Sequence, residues 1–328
     1  MANLPDSLYE DYTRSMVNFP SALDSTFPPS PNIRMIINWI DDLHKKIPST
    51  FDFALENLIT HRKKFEILPR LLWKSRCTVA MMLQEIMNIY PHISRPVYSH
   101  NGMHHRVYNI LLLFQCITHY PDTRNPFLTA GMQHYMYPLM DINLTDKPLE
   151  CLRLGALGVI AHMLRPPVDV GVVRCLVNTN CLQHCTKAIE IGLTESKTVS
   201  SLLLLYIRQE GKHFELTLLQ FAVFIFKNIL STGEGLQYCC VLPDRFFLID
   251  GLLKMLLVYL TTIATPCPSL FNLVVECYAK LSYKPRARRG LRRYPPTMLF
   301  NGTFARLLAE DPASERYRQE LIKNLEMK

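Results

Sequence analysis

Apolar residues recur along this chain at three- and four-residue steps, in stretch after stretch closed off by proline. Ile33, Ile36, Ile37, Ile40 and Leu43 give one such face, and Phe53, Leu55, Leu58 and Ile59 a second. From Leu68 the pattern runs through Leu72, Val79, Met82, Leu83, Ile86 and Ile89 to Pro91. That period is the repeat of an α-helix with one buried face, and it predicts a single helix over the last of these stretches. Further helices are predicted over 106–119, 124–130, 134–141, 148–164, 169–178, 182–191, 245–262, 269–282, 285–293 and 314–327, with a long apolar region over 196–230. No pair of alternating segments predicts a strand pairing. With only 12 Gly against 22 Pro, the chain is poor in the turns that sandwiches, barrels and nucleotide-binding sheets require. The fold class that follows is all-α, an armadillo-like helical repeat solenoid of about six repeats rather than a bundle.

Composition sets the remaining bounds. A 48% hydrophobic content over 328 residues supplies a large core, which excludes disorder of the whole chain. Residues 1–31 contain Pro5, Pro20, Pro28, Pro29 and Pro31 and no sustained period, and are read as a flexible tail preceding a repeat domain over 32–328. Ten Cys without a C-x-x-C pair and without a secretory leader predict reduced thiols in a cytoplasmic, or also nuclear, protein. No apolar stretch is long and uninterrupted enough to span a bilayer, so no membrane partner is expected.

A weak internal repeat supports the solenoid. The step from Leu128 to Leu176 is 48 residues, near the armadillo period, whereas the step from Leu176 to Tyr238 is 62. Residues 199–220 account for the excess, because removing these 22 turns 62 into 40. Their composition predicts two short apolar helices around a polar turn at 208–213. They also admit a second origin: Val199-Ser200 can be encoded by a splice-donor sequence and Gln220 by the acceptor CAG, which makes the segment a candidate retained in-frame intron.

Several segments resemble the armadillo-type subunit of the CCR4-NOT deadenylase complex, the "required for cell differentiation" family. They include Leu72-Trp73-Lys74-Ser75, Leu83-Gln84-Glu85-Ile86 through Pro91, His119-Tyr120-Pro121-Asp122-Thr123-Arg124, Gly235-Leu236-Gln237-Tyr238 and Pro285-Arg286-Ala287-Arg288. The likeness runs in order over about residues 33–326. It implies a non-enzymatic adaptor in mRNA deadenylation, decay and translational repression, needing no cofactor and no metal. The partners it implies are the complex's large scaffold subunit and Trp-containing or helical peptides of repressor proteins. Single-stranded nucleic acid and a second copy of the chain are carried as further candidates.

Residue by residue, the resemblance places scaffold docking on the helix matched by Lys74 to Met87, with a His and an aromatic where this chain has Lys74 and Arg76, and small or apolar residues at Ala80 and Met87. Two cations at the centre of an apolar contact would cost several kcal/mol as an order of magnitude. The alternative reading is therefore a diverged paralogue with weakened docking, acting as a free nucleic-acid- or protein-binding module. Arg245 and Arg286 match arginines of the family's tryptophan pockets, whose guanidinium planes can stack on an indole. The Tyr expected two residues before Arg245 is Pro243, which removes one aromatic wall.

Outside the resemblance, Lys284 to Arg293 carries six cations and no acid, and Arg286, Arg288, Arg289, Arg292 and Arg293 are the candidate phosphate contacts, with Tyr283 and Tyr294 for base stacking. His100, His104 and His105 form a surface cluster lacking a fourth metal ligand. Cys181, His184 and Cys185 share a helix face as core thiols beside a surface His, and no residue at readable spacing would orient them for catalysis. Glu85, on an apolar helix, is expected to be a packing or capping partner.

Overall fold

A computed structural model describes residues 33–45, 47–94, 102–144, 146–198, 208–263 and 267–325 of the chain. The predicted tail lies outside the described residues, as do 199–207. Helices come in triplets. After the pair α1 (Ile33–Leu43) and α2 (Pro48–His61), the triplets are α3 (Leu68–Lys74), α4 (Thr78–Ile89), α5 (Met103–His119); α6 (Pro121–Thr129), α7 (Tyr137–Met140), α8 (Lys147–Met163); and α9 (Val170–Asn178), α10 (Cys181–Thr198), α11 (Arg208–Leu230). Two more follow: α12 (Gly233–Val241), α13 (Pro243–Thr262), α14 (Pro268–Ser282); and α15 (Pro285–Arg293), α16 (Ala305–Glu310), α17 (Pro312–Leu325). Among the described residues there is no strand.

The third helices stack in order, α2 on α5, α5 on α8, α8 on α11, α11 on α14 and α14 on α17, and form the spine of the solenoid. Short first helices make a second ladder, α3–α6–α9–α12–α15, and α7–α10–α13 a third. The spine is apolar round its circumference: Val107–Gln115 of α5 and Cys151–Met163 of α8 are buried without interruption. Such all-round burial is what a helix sandwiched between neighbours needs. Gly155 and Gly158 let α8 approach α5 so closely that a Cβ at either position would meet Leu111 or Gln115 at 2.9 and 2.3 Å.

Proline does the punctuation, standing at the first or second position of nine α-helices among the described residues, including α6, α8, α13, α14 and α15, where its missing N–H is not needed. The all-α armadillo-like class, the boundaries of α1 and of most later helices, and the core thiols Cys181 and Cys185 agree with the sequence reading. Their Sγ atoms lie 4.0 Å apart, both buried, while His184 sits at the edge, stacked on Tyr137 at 4.4 Å with Nδ1 3.0 Å from Asp141.

Three expectations are corrected. The single helix predicted from Leu68 to Ile89 is broken: Ser75 is extended and Cys77 left-handed at φ 61°. The corner is locked by side chains, since Thr78 Oγ1 donates to Ser75 Oγ and in turn accepts from His44 Nε2, both at 2.8 Å. The polar turn expected at 208–213 is instead the start of α11, a helix of 23 residues. Its Thr217–Gln220 turn is buried, with Gln220 Nε2 donating to Cys267 Sγ and Ser269 Oγ, so tertiary packing extends the helix past the local turn composition. Finally, α16 was not foreseen; six residues give too little period to read.

Candidate functional site

Three surfaces collect the residues singled out in the sequence. The first is the outer face of α4. Arg76, Ala80, Gln84 and Met87 follow one another at helical spacing and are exposed, with Gln84 Nε2 donating to Asn88 Oδ1 at 2.9 Å. Lys74 is also exposed, but it ends α3, and Arg76 lies in the corner between the helices. The two cations therefore do not share one helix with Ala80 and Met87, contrary to the expectation that Lys74 to Met87 is continuous. Behind this face Glu85 accepts from Arg106 Nη1 at 3.2 Å while Arg106 Nε and Nη2 hold Asp52 at 2.6 and 2.9 Å, which confirms Glu85 as a packing partner. The guanidinium is held charged mainly by its bond to Asp52, against the opposing effect of burial.

The second surface is the corner of α12, α13 and α15. A helix ends with carbonyls that have no partner in the helix, and a cation placed there satisfies both the hydrogen bond and the dipole. Arg245 Nη1 donates to Tyr238 O at 3.3 Å and Arg286 Nη1 to Val241 O at 3.1 Å, so both arginines converge on the last turn of α12. Lys284 Nζ joins them on Gln237 Oε1 at 3.0 Å. The Arg245 guanidinium lies 3.7 Å from the centroid of the Tyr238 ring. Tyr238 thus provides an aromatic wall that sequence reasoning missed; it comes from the preceding helix, seven residues before Arg245, not from the position of Pro243. Pro243 is exposed at the first position of α13, and Val241 and Leu242 beside it are exposed. Cations with one planar face backed by an aromatic, next to uncovered aliphatic surface, form a place where a flat apolar side chain can stack.

The third surface is α15 itself, whose cations divide by role. Arg288 Nε donates to Ser282 O at 2.9 Å and Arg292 Nε to Leu325 O at 3.1 Å, the last residues of α14 and α17. With Arg286 on Val241, the helix clamps three helix C-termini. Arg289 is exposed, and exposed Arg293 lies over the Tyr294 ring at 5.4 Å. Tyr283 donates its hydroxyl to Glu320, a bond that pushes its pKa up to about 12. The cluster read as uniformly available to phosphate is therefore partly committed to structure, leaving Arg289 and Arg293 as its exposed members not bonded to a helix end.

Other candidates recede. His100 lies outside the described residues; His104 is partly buried and burial holds it below the usual imidazole range. Among the described residues no group of three His, Cys, Asp or Glu could hold a metal ion, and no single helix is long and apolar enough to cross a membrane.

Comparison with known proteins bears on the family and the fold. A family described as "Cell differentiation family, Rcd1-like" matches residues 39–215 and 217–325. The chain is 31% identical over 298 residues to cell differentiation protein rcd1 of Schizosaccharomyces pombe, covering 90% of this chain and 95% of that protein. It is 30% identical over 272 residues to protein CAF40 of Saccharomyces cerevisiae, covering 83% and 66%. Among solved structures it is similar in fold to an engineered protein (TM-score 0.56, 12% identity, 89% and 96% of the two chains). It is likewise similar to a computationally designed armadillo repeat protein for modular peptide recognition (TM-score 0.55, 13% identity, 88% and 99%).

Proposed function

We propose, from the premise that the chain belongs to the Rcd1-like cell differentiation family, that it is a non-enzymatic adaptor of the CCR4-NOT deadenylase complex. In this reading it works in the cytoplasm, and also in the nucleus, in mRNA decay and translational repression. The observation that carries it is the cationic and aromatic corner of half-buried Arg245 and Tyr238 beside exposed Arg286 on an armadillo-like frame, a surface suited to a Trp-bearing repressor peptide. A Trp-containing peptide titrated against the protein should bind with an affinity that Arg245→Glu reduces by about tenfold, the range of a lost cation–π contact with added repulsion. Because Arg245 also caps α12, the thermal transition of the variant is measured alongside. A peptide bound equally well by a folded Arg245→Glu protein would overturn the reading.

The exposure of Lys74 and Arg76 supports the second reading, that docking to the large scaffold subunit is weakened. Co-immunoprecipitation of the full chain with that subunit should be substoichiometric. The double change Lys74→His and Arg76→Phe should raise it by about tenfold, the contribution of one buried aromatic anchor. Stoichiometric co-purification of the unaltered chain would sink this reading. Contact of Arg289 and Arg293 with single-stranded nucleic acid belongs to the same reading, and their neutralisation should lower the salt slope of oligonucleotide binding by about one per lost phosphate contact.

A further inference from the structure

The helix α13 carries an apolar face that nothing among the described residues covers, and the spacing of that face points to what fits it. Leu248, Gly251, Met255, Val258 and Thr262 are all exposed and succeed one another at steps of three, four, three and four, with exposed Phe247 beside Leu248. Phe247, Leu248, Met255 and Val258 are 46%, 44%, 38% and 51% exposed. Alternating three- and four-residue steps are the seam of a coiled coil, a line along one side of a helix that matches a second helix lying against it. A Cβ on Gly251 would meet nothing within 4 Å, so the seam has an open hole at its middle, walled by Leu248 and Met255. A hole between apolar walls suits the side chain of a facing helix better than the level surface of a bilayer.

The face lies where the solenoid stops one rung short. α7 packs on α10 and α10 on α13, and Ile249, Leu252 and Leu256 of α13 surround a small void together with Ile189 of α10. At about 100° per residue the seam falls on the side of α13 away from those three, the side on which a further rung would pack. The helix at that place in the next triplet, α16, has six residues against the twenty of α13. The face therefore has the pattern of an internal helix contact without an internal helix long enough to fill it.

One edge of the seam is basic. Phe247 packs edge-on against Tyr294 with centroids 6.3 Å apart, and Arg293 lies over the same ring. Lys254 Nζ donates to Tyr294 O at 2.9 Å and to Asp250 at 2.7 Å, so this cation is offset by an acid of its own helix. Exposed Arg289 stands one turn before Arg293 on α15, and Asp244 is the exposed acid at the start of the seam. Charges flanking a helix seam select the partner by sign, and Arg289 and Arg293 select an acidic one. A second copy of this chain, at +8 overall, would approach with the wrong sign.

We infer that the α13 face docks an acidic amphipathic helix of a partner protein, with aliphatic residues at three- and four-residue steps and Glu or Asp along the edge that meets Arg289 and Arg293. This surface is separate from the Arg245 corner, and the inference holds whether or not that corner takes a Trp. It is tested on the full chain by fluorescence anisotropy with a labelled synthetic helical peptide of that pattern, Leu at the seam and Glu on both flanks, and with its twin carrying Lys for Glu. The acidic peptide should bind about five- to tenfold more tightly than the basic one, the effect of two or three exposed ion pairs. Arg289→Glu with Arg293→Glu should invert that order. Val258→Glu should weaken the acidic peptide by about tenfold or more while a Trp-containing peptide binds as before, because Val258 lies about 20 Å along α13 from Arg245. Gly251→Glu probes the same seam with the fold kept, since it raises helix propensity and its Cβ meets no neighbour. Failure of the acidic peptide to bind, equal binding of the two peptides, or binding that survives both seam substitutions would each overturn the inference. So would attachment to phosphatidylserine vesicles in place of the peptide, or a dimer of the chain in sedimentation that Val258→Glu dissociates.

Discussion

His162 lies inside α8 at 7% exposure, its Nδ1–H donating to Gly158 O at 2.7 Å. Burial, followed by the neighbouring cation Arg165, pushes its pKa down to about 3, and His119 beside it is lowered by the same two causes. A depressed folded pKa means that the unfolded chain takes up the proton first. The contribution to stability is therefore complete above the ordinary imidazole value of about 6.5 and is lost as pH falls from there toward 3. Denaturant melts should show a loss of about 2 kcal/mol by pH 5 from His162, and His162→Leu should flatten that slope. Lys227 and Glu276 form a second buried polar site, 3.8 Å apart across α11 and α14 with side chains 9% and 6% exposed. Glu276→Leu should cost about 3–5 kcal/mol because it strands a buried cation, and adding Lys227→Met should recover most of it. A double variant no more stable than the single one would show that the pair itself is strongly favourable. Both sites were silent in the sequence: a His or Lys in an apolar helix announces nothing until the facing helix is known.

At the scale of elements, α15 shows how a charge run can be structural. Its arginines reach Val241 O, Ser282 O and Leu325 O, three helix ends that come from sequence positions far apart. A run of six cations is legible in the sequence, but the carbonyls that receive three of them are assembled only by the stacking of α12, α14 and α17. The interval between α9 and α12 carries the other element-scale feature. From Val170 to Gly233 it is 63 residues, against 53, 49 and 52 between the other first helices, an excess of about 12 that is little more than half of residues 199–220. Joining Thr198 to Phe221 would remove the first thirteen residues of α11, Arg208 to Gln220, and with them the buried Leu218 and Leu219. A chain lacking 199–220 should keep a single cooperative thermal transition and the same helicity per residue by circular dichroism. Loss of the transition would mark the segment as an indispensable part of the core. Transcript reads across Thr198 and Phe221 test its origin separately.

For the molecule as a whole, contacts pass from each repeat to the next, so stability should be graded rather than uniform. Amide hydrogen exchange should be slowest in α5, α8 and the 216–230 part of α11, which are buried on all sides, and fastest in α1 and α16. Uniform protection from end to end would contradict a stack held by neighbour contacts. Much of this architecture is local in origin. The three- and four-residue apolar spacing makes each helix, proline ends it, and recurrence of the unit requires stacking, because one triplet cannot bury its own apolar faces. The sequence by itself therefore determined the helices, their order, the repeat and the anomalous interval. Tertiary structure alone decided that the chain breaks at Ser75–Cys77, where His44 fixes Thr78 from another repeat, and that Tyr238 backs Arg245. It also decided which arginines of α15 are spent on helix ends and that the face of α13 stays bare. The physical reason is common to all four: each depends on a partner group supplied, or withheld, by another helix, and spacing within one helix carries no record of that partner.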